Sequence, residues 1–359
     1  MHIKNHLIKA AVSLLKPHTP NSGEEKRFLI LSTTGLGDTL WGTPALRALR
    51  ESFKASYIGV VTSEVGGALL KHNRNSDELF VITDPLARSL VPLYRKLKAK
   101  KITHILHFHT SQRAMLPLAA LLGAQAIIGT QGINKGLDCF LTHPIANTPA
   151  VHEIQRRLDI VAQVGAQASD PSMQLFLSPE DEQMADTFLR GLHLPPDLPL
   201  IALHPGSKDP FKQWPPSHFI ALGNQLVQNL GCRILVTGTA SEKSLVNEIA
   251  SQIEGAFAAT HLPLLGAAAL IKRMRMMISN DTGPMHLAFA QNIPTIGLFT
   301  PTDPKLCGPY FALSARLIEK KPTCLPCLRK KCREPFCLLQ IGVQEVYDVA
   351  WKLFHAHAT

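Results

Sequence analysis

Two successive α/β domains, each built on a parallel sheet, are predicted for this 359-residue chain by three observations. Short apolar runs alternate with helical patterns in two separate series. A segment rich in Pro and polar residues lies between the series, and each series has a glycine-centred turn at the end of an apolar run. Length agrees, because one core rarely serves a chain this long and domains of about 150 to 200 residues are the usual division.

Residues 1–26 stand apart as an extension. Helical spacing from His2 to Lys16 puts Ile3, Leu7, Ala11, Leu14 and Leu15 on one face, with Asn5, Lys9 and Lys16 opposite. That is the pattern of a helix lying on a membrane surface or packed on its own domain. Pro17, Pro20 and Gly23 mark the loop that follows.

The first domain, 27–175, opens with a buried strand at Arg27 to Ser32, then a helix from Thr43 to Phe53 started by Pro44. Further strands are predicted at Tyr57 to Thr62, Leu79 to Thr83, Ile102 to Phe108 and Ala126 to Gly129. Polar, Pro-containing stretches around Gln167 to Pro171 and Leu192 to Pro199 mark the boundary, with helical spacing from Pro179 to Leu192 between them. The second domain, 176–343, repeats the alternation. Strands are predicted at Leu198 to Leu203, Cys232 to Thr237, Met276 to Ser279 and Thr295 to Phe299, and helices at Pro216 to Leu230, Ser241 to Ile253 and Pro284 to Gln291. A last helix, about Gln344 to His355, fills 344–359.

The formal charge of +10, from 37 Lys and Arg against 27 Asp and Glu, favours anionic partners. The basic runs at Arg95 to Lys101, Lys320-Lys321 and Arg329 to Lys331 lack the interleaved aromatics of a single-strand-binding surface, so nucleic acid is not the expected partner. No run approaches the roughly 20 apolar residues that span a bilayer, and no secretory leader pattern opens the chain, so a cytoplasmic protein is expected.

Three motifs carry chemistry. Gly35-Leu36-Gly37-Asp38 follows the first strand but has Leu40 where a dinucleotide fingerprint needs glycine, and no Gly-Lys-Ser/Thr follows either turn, so hydride transfer and a P-loop are disfavoured. The turn instead presents one carboxylate, Asp38, either a helix cap or a general base. Asp281-Thr282-Gly283-Pro284 joins cap residues, a glycine and a first-turn proline, a helix start able to receive a diphosphate, with His286 one step further on. His204-Pro205-Gly206-Ser207 leads to Lys212, Gln213 and Trp214, a phosphate-sized turn followed by a cation able to neutralise a departing phosphate.

The set G-L-G-D-T-L-W-G-T-P-A-L at 35–46, H-P-G-S with K-Q-W-P at 204–215 and S-N-D-T-G-P-M-H-L-A at 279–288 resembles glycosyltransferase family 9, which contains the ADP-heptose:lipopolysaccharide heptosyltransferases. The match runs in order from about Arg27 to Ile341. It implies a GT-B fold, two Rossmann-like domains with parallel sheets facing across a cleft, the acceptor on the first and the nucleotide sugar on the second. It also implies that the closing helix returns to the first domain.

Position by position, the resemblance makes Asp38 the catalytic base of an inverting reaction. It puts Ser207, Lys212, Glu242, Asp281, Thr282, Gly283 and His286 at the donor and Gly37 at the acceptor. Arg113 is the candidate contact for an acidic sugar or phosphate on that acceptor. Where relatives carry an acidic residue at the end of the fourth strand, this chain has His107-Phe108-His109.

Heptose would move from ADP-heptose to the inner core of an anionic glycolipid, beside the cytoplasmic face of the inner membrane. The alternatives are a GT-B transferase with another nucleotide sugar or a protein acceptor, and a non-catalytic nucleotide-binding module. No Asp-x-Asp occurs, which argues against carboxylate-bound Mg²⁺ or Mn²⁺, so no cofactor is expected for catalysis. Cys324, Cys327, Cys332 and Cys337 have a spacing compatible with a structural zinc or iron, the other reading being a reduced loop. Arg329, Lys330, Lys331 and Arg333 beside them could face an anionic membrane. The motifs leave the oligomeric state open.

Overall fold

The computed structural model describes residues 2–15, 25–83, 86–310, 314–324, 327–328, 331–332 and 335–356. The loop residues Pro17, Pro20 and Gly23, and the basic Arg329, Lys330 and Arg333, lie outside them. The chain divides into two compact units, Met1–Phe176 and Leu177–Thr359.

In the first unit, α1 (His2–Leu15) precedes β1 (Phe28–Ser32), α2 (Leu36–Ser52), β2 (Ile58–Ser63), α3 (Glu64–Leu70), β3 (Glu78–Ile82), α4 (Leu86–Ala99) and β4 (His104–His109). Next come α5 (Met115–Leu121), β5 (Ala126–Thr130), β6 (His143–Ile145) and α6 (Glu153–Ala162). The strands form one parallel sheet in the order β3-β2-β1-β4-β5-β6. Strand β1, apolar from Phe28 to Leu31 and buried at every residue, has the pattern a strand covered on both faces requires. Helices α1, α4 and α5 share one core, through Ile8 and Val12, Leu93 and Leu97, and Met115 and Leu116.

Helix α2 begins seven residues before the predicted start at Thr43, so Pro44 lies inside it. A proline there has no N–H for the carbonyl of Leu40. The Thr43 hydroxyl donates to that oxygen instead, at 2.7 Å, so the helix continues back to Leu36. The whole glycine turn therefore sits at a helix N-terminus. Helix α1, for which a membrane surface and packing on its own domain were both open, turns Asn5, Ile8 and Val12 inward and Leu7, Ala11 and Leu14 outward.

The second unit runs α7 (Pro179–Gly191), β7 (Leu200–His204), α8 (Pro216–Leu230), β8 (Arg233–Thr237), α9 (Lys243–Ser251), β9 (Phe257–Ala259), α10 (Leu264–Ile271) and β10 (Met276–Asn280). It continues with α11 (Gly283–Ala290), β11 (Thr295–Phe299), α12 (Pro304–Cys307), β12 (Ala315–Glu319), α13 (Phe336–Leu339) and α14 (Val343–Ala356). Its sheet is parallel, in the order β12-β11-β10-β7-β8-β9. The resemblance put the closing helix on the first domain. Its buried face, Val346, Ala350 and Leu353, instead enters the second unit's core beside Phe219, Leu222 and Leu226 of α8.

Both sheets share one topology. The first strand of each has the second on one side and the fourth on the other, so strand order reverses between β1 and β4 in the first sheet and between β7 and β10 in the second. Ligands of open α/β sheets collect beyond the carboxyl ends of strands at such a reversal. Each predicted glycine turn, and the 204–214 loop, leaves a sheet there.

Candidate active site

At the first reversal, Gly35 caps α2, and Gly37 and Asp38 occupy its first turn, where a negative side chain suits the helix dipole. Asp38 Oδ1 accepts from Arg157 Nη2 at 2.9 Å and lies 3.3 Å from His109 Nδ1 at the end of β4. Arg157, on α6, is fully buried. Its Nη1 donates at 2.7 Å to both the backbone oxygen and Oε2 of Glu153, and its guanidinium stands 5.6 Å from the centre of the Trp41 ring. Arg156 closes the group, with Nε 3.4 Å from Glu153 Oε1.

This array sets the charge of Asp38. Burial pushes its carboxyl up, but the hydrogen bond from His109 and the Arg157 charge together outweigh that, so it stays below the usual carboxylate range. Asp38 is an anion at neutral pH, held by one oxygen and a quarter exposed.

At the second reversal the polarity is opposite. Lys212, in a short turn after β7, places Nζ 2.5 Å from Asp281 Oδ2, and Asp281 is buried just beyond β10. Asn280 joins the two loops: its Oδ1 accepts from the Trp214 backbone N–H at 3.0 Å and its Nδ2 donates to the Pro205 carbonyl at 2.7 Å. Trp214 Nε1 donates to the Ile341 carbonyl at 2.9 Å, fixing the far end of the loop.

Ser207 turns the loop, accepting from Asp209 N at 3.3 Å while its carbonyl accepts from Gln213 Nε2 at 2.8 Å. Thr282 caps α11, Gly283 begins it, and His286 is buried within it. Glu242 accepts from the Thr239 N–H and hydroxyl, both at 2.8 Å. It also lies over Gly206, where an added methyl would collide with its Oε1 and push the Glu242 carboxylate aside.

The predicted donor set thus comes from the three connections that follow β7, β8 and β10 at one end of one sheet. Asp38 and Gly37 stand together in the other unit. Arg113 is engaged elsewhere: its Nη2 donates to Asn5 Oδ1 at 3.1 Å and to the Lys135 carbonyl at 2.9 Å, tying α1 to its domain. The cysteines do not converge. Among the described residues no group of three or more His, Cys, Asp or Glu is placed to hold a metal ion, which removes the support for a zinc or iron site at Cys324, Cys327, Cys332 and Cys337.

Sequence reasoning missed Arg157 and Asn280. Glu153 and Arg157 read as an ordinary i,i+4 surface pair, since nothing local says that the arginine is buried. Asn280 reads as a strand-end polar residue. A hint was available in the unusual adjacency Asn280-Asp281 at the end of an otherwise apolar strand.

A model of the family described as glycosyltransferase family 9 (heptosyltransferase) matches residues 91–337. The chain belongs to glycosyltransferase family 9. Among its relatives is lipopolysaccharide heptosyltransferase 1 of Pseudomonas aeruginosa, 25% identical over 355 residues, with 89% of this chain and 96% of that protein covered. Its fold matches a family 9 glycosyltransferase from Veillonella parvula with a TM-score of 0.79 and 23% identity, covering 94% of this chain and 99% of that one. It also matches ADP-heptose lipopolysaccharide heptosyltransferase II of Escherichia coli with a TM-score of 0.75 and 20% identity, covering 93% and 100%. The architecture is GT-B, and this family 9 member is a glycosyltransferase.

Proposed function

We propose that this transferase moves heptose from ADP-heptose to a hydroxyl of a lipopolysaccharide inner core, with inversion at the anomeric carbon. The observation that carries the reading is the pair of opposite charges at equivalent points of the two sheets. A carboxylate held by Arg157 suits an acceptor hydroxyl, and a lysine held by Asp281 suits a diphosphate. The relatives' names supply the sugar, the nucleotide and the acceptor class.

In this mechanism the acceptor O–H gives its proton to Asp38 Oδ2, the oxygen not held by Arg157 or His109. The acceptor oxygen bonds to the anomeric carbon from the face opposite the diphosphate. The carbon–oxygen bond to ADP breaks, and its electron pair leaves with the phosphate. Lys212 and the N-terminus of α11 take up the growing negative charge, and Ser207 and Thr282 add hydroxyl donors. Glu242 and His286 hold donor hydroxyls or ring edges, and Gly37 lets the acceptor approach the backbone. Arg113, whose Nη2 holds Asn5 and the Lys135 carbonyl, meets an acidic group of the acceptor through its remaining N–H donors.

The first unit serves as the acceptor domain and the second as the nucleotide-sugar domain. The enzyme works at the cytoplasmic face of the inner membrane as a peripheral protein. No described helix is long and apolar enough to cross a membrane.

The test is product formation, read by mass spectrometry, with ADP-heptose and a short lipid A core acceptor beside UDP- and GDP-sugar controls. Addition of one heptose from the ADP donor alone, lost in Asp38→Ala, is the expected result. Equal transfer from a UDP- or GDP-sugar overturns the donor assignment.

A further inference from the structure

Strand β4 carries a bulge beside Asp38. In its pairing with β1, His107 stands opposite Leu31 and His109 opposite Ser32, so Phe108 is an extra residue between them. Residues two apart normally share one face of a sheet. A bulge breaks that alternation and re-aims the side chain that follows it, and bulges gather next to active sites for this reason.

The neighbours of the three residues show the change of aim. His107 turns toward α5, lining a small cavity with Arg113 and Leu116. Phe108 turns to the other face and packs against Gly42 of α2, close to Arg157. His109, which an unbroken strand would place on the side of His107, instead reaches Asp38 on α2, with Nδ1 3.3 Å from Oδ1.

Asp38 does not need this ring for charge balance. The fully buried Arg157 guanidinium already meets the same oxygen at 2.9 Å, whereas the His109 side chain is 41% exposed. Because Asp38 is an anion, the ring nitrogen that faces it carries the hydrogen, and the neutral ring then holds its acceptor lone pair at Nε2. Nε2 has no hydrogen-bond partner among the described residues.

We propose that His109 is an acceptor-binding residue, its Nδ1–H held by Asp38 and its Nε2 accepting a hydrogen bond from the sugar hydroxyl next to the one that attacks. The ligand class is a vicinal diol, with Asp38 Oδ2 on one hydroxyl and His109 on the other. This rests on the reading of Asp38 as the base for an acceptor hydroxyl, and it adds a residue that selects the acceptor.

Two substitutions separate the two nitrogens of the ring. Asparagine places an amide N–H where Nδ1–H lies and has nothing at Nε2, while glutamine places its amide at Nε2 and has nothing at Nδ1. Binding of a water-soluble, delipidated inner-core acceptor is read by calorimetry, and the pH dependence of kcat/KM is read with that acceptor and ADP-heptose. His109→Asn should weaken acceptor binding about 3- to 10-fold, the worth of one neutral hydrogen bond, with the acid limb close to its wild-type place. His109→Gln should bind the acceptor as wild type and move the acid limb to higher pH, because His109 is one of the groups that hold the Asp38 carboxyl down. The other charged or titratable groups about this pair are Arg157 and Glu153 on α6 and His107 on β4 itself, and neither substitution removes them. An acceptor analogue with hydrogen in place of the neighbouring hydroxyl should cost the wild type that same factor and cost His109→Asn nothing more.

Unchanged acceptor affinity in His109→Asn, a full penalty from the analogue in that variant, or no acceptor binding by the wild type overturns the proposal. Equal effects of the two variants on both readouts also overturn it, since the ring would then act only through Asp38. Acceptor binding that depends on His109 without any transfer from ADP-heptose would sink the heptosyl-transfer reading and leave the diol contact standing.

Discussion

The two sheets share an order of strands and use it for opposite charges. In the first, the loops beyond β1 and β4 present a carboxylate, Asp38, backed by the buried Arg157. In the second, the loops beyond β7 and β10 present an ammonium, Lys212, backed by the buried Asp281. In each, the backing charge is the more buried partner and the presented one the more exposed. A shared topology thus fixes where a ligand sits, and the sign of one buried residue fixes which half of a displacement it serves. In the proposed mechanism, one half accepts a proton and the other accepts a leaving group.

The largest effects should follow from removing the presented charges. Asp38→Asn is expected to lower kcat/KM by about 10²- to 10⁴-fold, as loss of a general base does, while ADP-heptose binds as before. Lys212→Met is expected to lower it by about 10²-fold or more and also to weaken ADP binding. Calorimetric titration with ADP separates them. If Asp38→Asn weakens ADP binding as much as Lys212→Met, the division of labour between the sheets is wrong.

Next in size is the backing charge of the first sheet. Arg157→Met leaves Asp38 and Glu153 without their shared cation, at a cost of about 3 kcal/mol by the usual penalty for splitting a buried pair. Arg157→Lys keeps the charge but cannot reach Glu153 and Asp38 as a fork, so it should fold and act, with less rate. The pH profile sharpens the point. In the proposed mechanism, activity needs the Asp38 anion, whose pKa burial raises and His109 and Arg157 lower. Loss of Arg157 should therefore move the acid limb of kcat/KM to higher pH. A limb that stays in place would mean that Arg157 does not set the ionisation of Asp38.

The same contrast explains what could be read from sequence. The second site is built from residues near its own glycine turns: Ser207 and Lys212 within nine residues of β7, Asp281 to His286 directly after β10. Local motif and site coincide there. The first site draws Asp38 from α2 and Arg157 from α6, 119 residues apart, so only the carboxylate was legible. The buried central strands were legible as apolar runs. The edge strands β6, β9 and β12 were not, because they are short or partly exposed and lack such a run. The orientation of the extension was left open for a related reason: periodicity gives a face, and the polar contacts of Asn5 decide which way it points.

A smaller effect is expected at Asn280. Asn280→Ala removes bonds to the Trp214 N–H and the Pro205 carbonyl, leaving both buried groups short of a partner, at about 1 to 3 kcal/mol. Lys212 sits on the loosened loop, so KM for ADP-heptose should rise while the acid limb set by Asp38 stays fixed. An acid limb that shifts in this variant would couple the two sites more tightly than their separate networks do.

The finest comparison lies behind the sites, where each sheet buries one histidine. His107 in β4 and His204 in β7 are both pushed down to about 4, chiefly by burial; the His109 charge lowers His107 further, and the Glu242 charge offsets part of the shift at His204. Each bonds a threonine hydroxyl at 3.0 Å, Thr110 and Thr237 respectively. The folded state keeps these rings neutral between about pH 6.5 and 4, while the unfolded chain protonates them as pH falls below about 6.5. Stability is therefore full above that pH and declines below it, at up to about 1.4 kcal/mol per pH unit for each ring. His104 and His218 shift the same way and add a background to each unit. His107→Gln should flatten the decline in the first unit alone, and His204→Gln in the second alone, read as urea midpoints at pH 7 and pH 5. If either variant flattens both transitions, the two units unfold as one and the paired sites share a single stability. If neither does, the rings are protonated in the native state, and the acid loss of activity must be sought there as well as at Asp38.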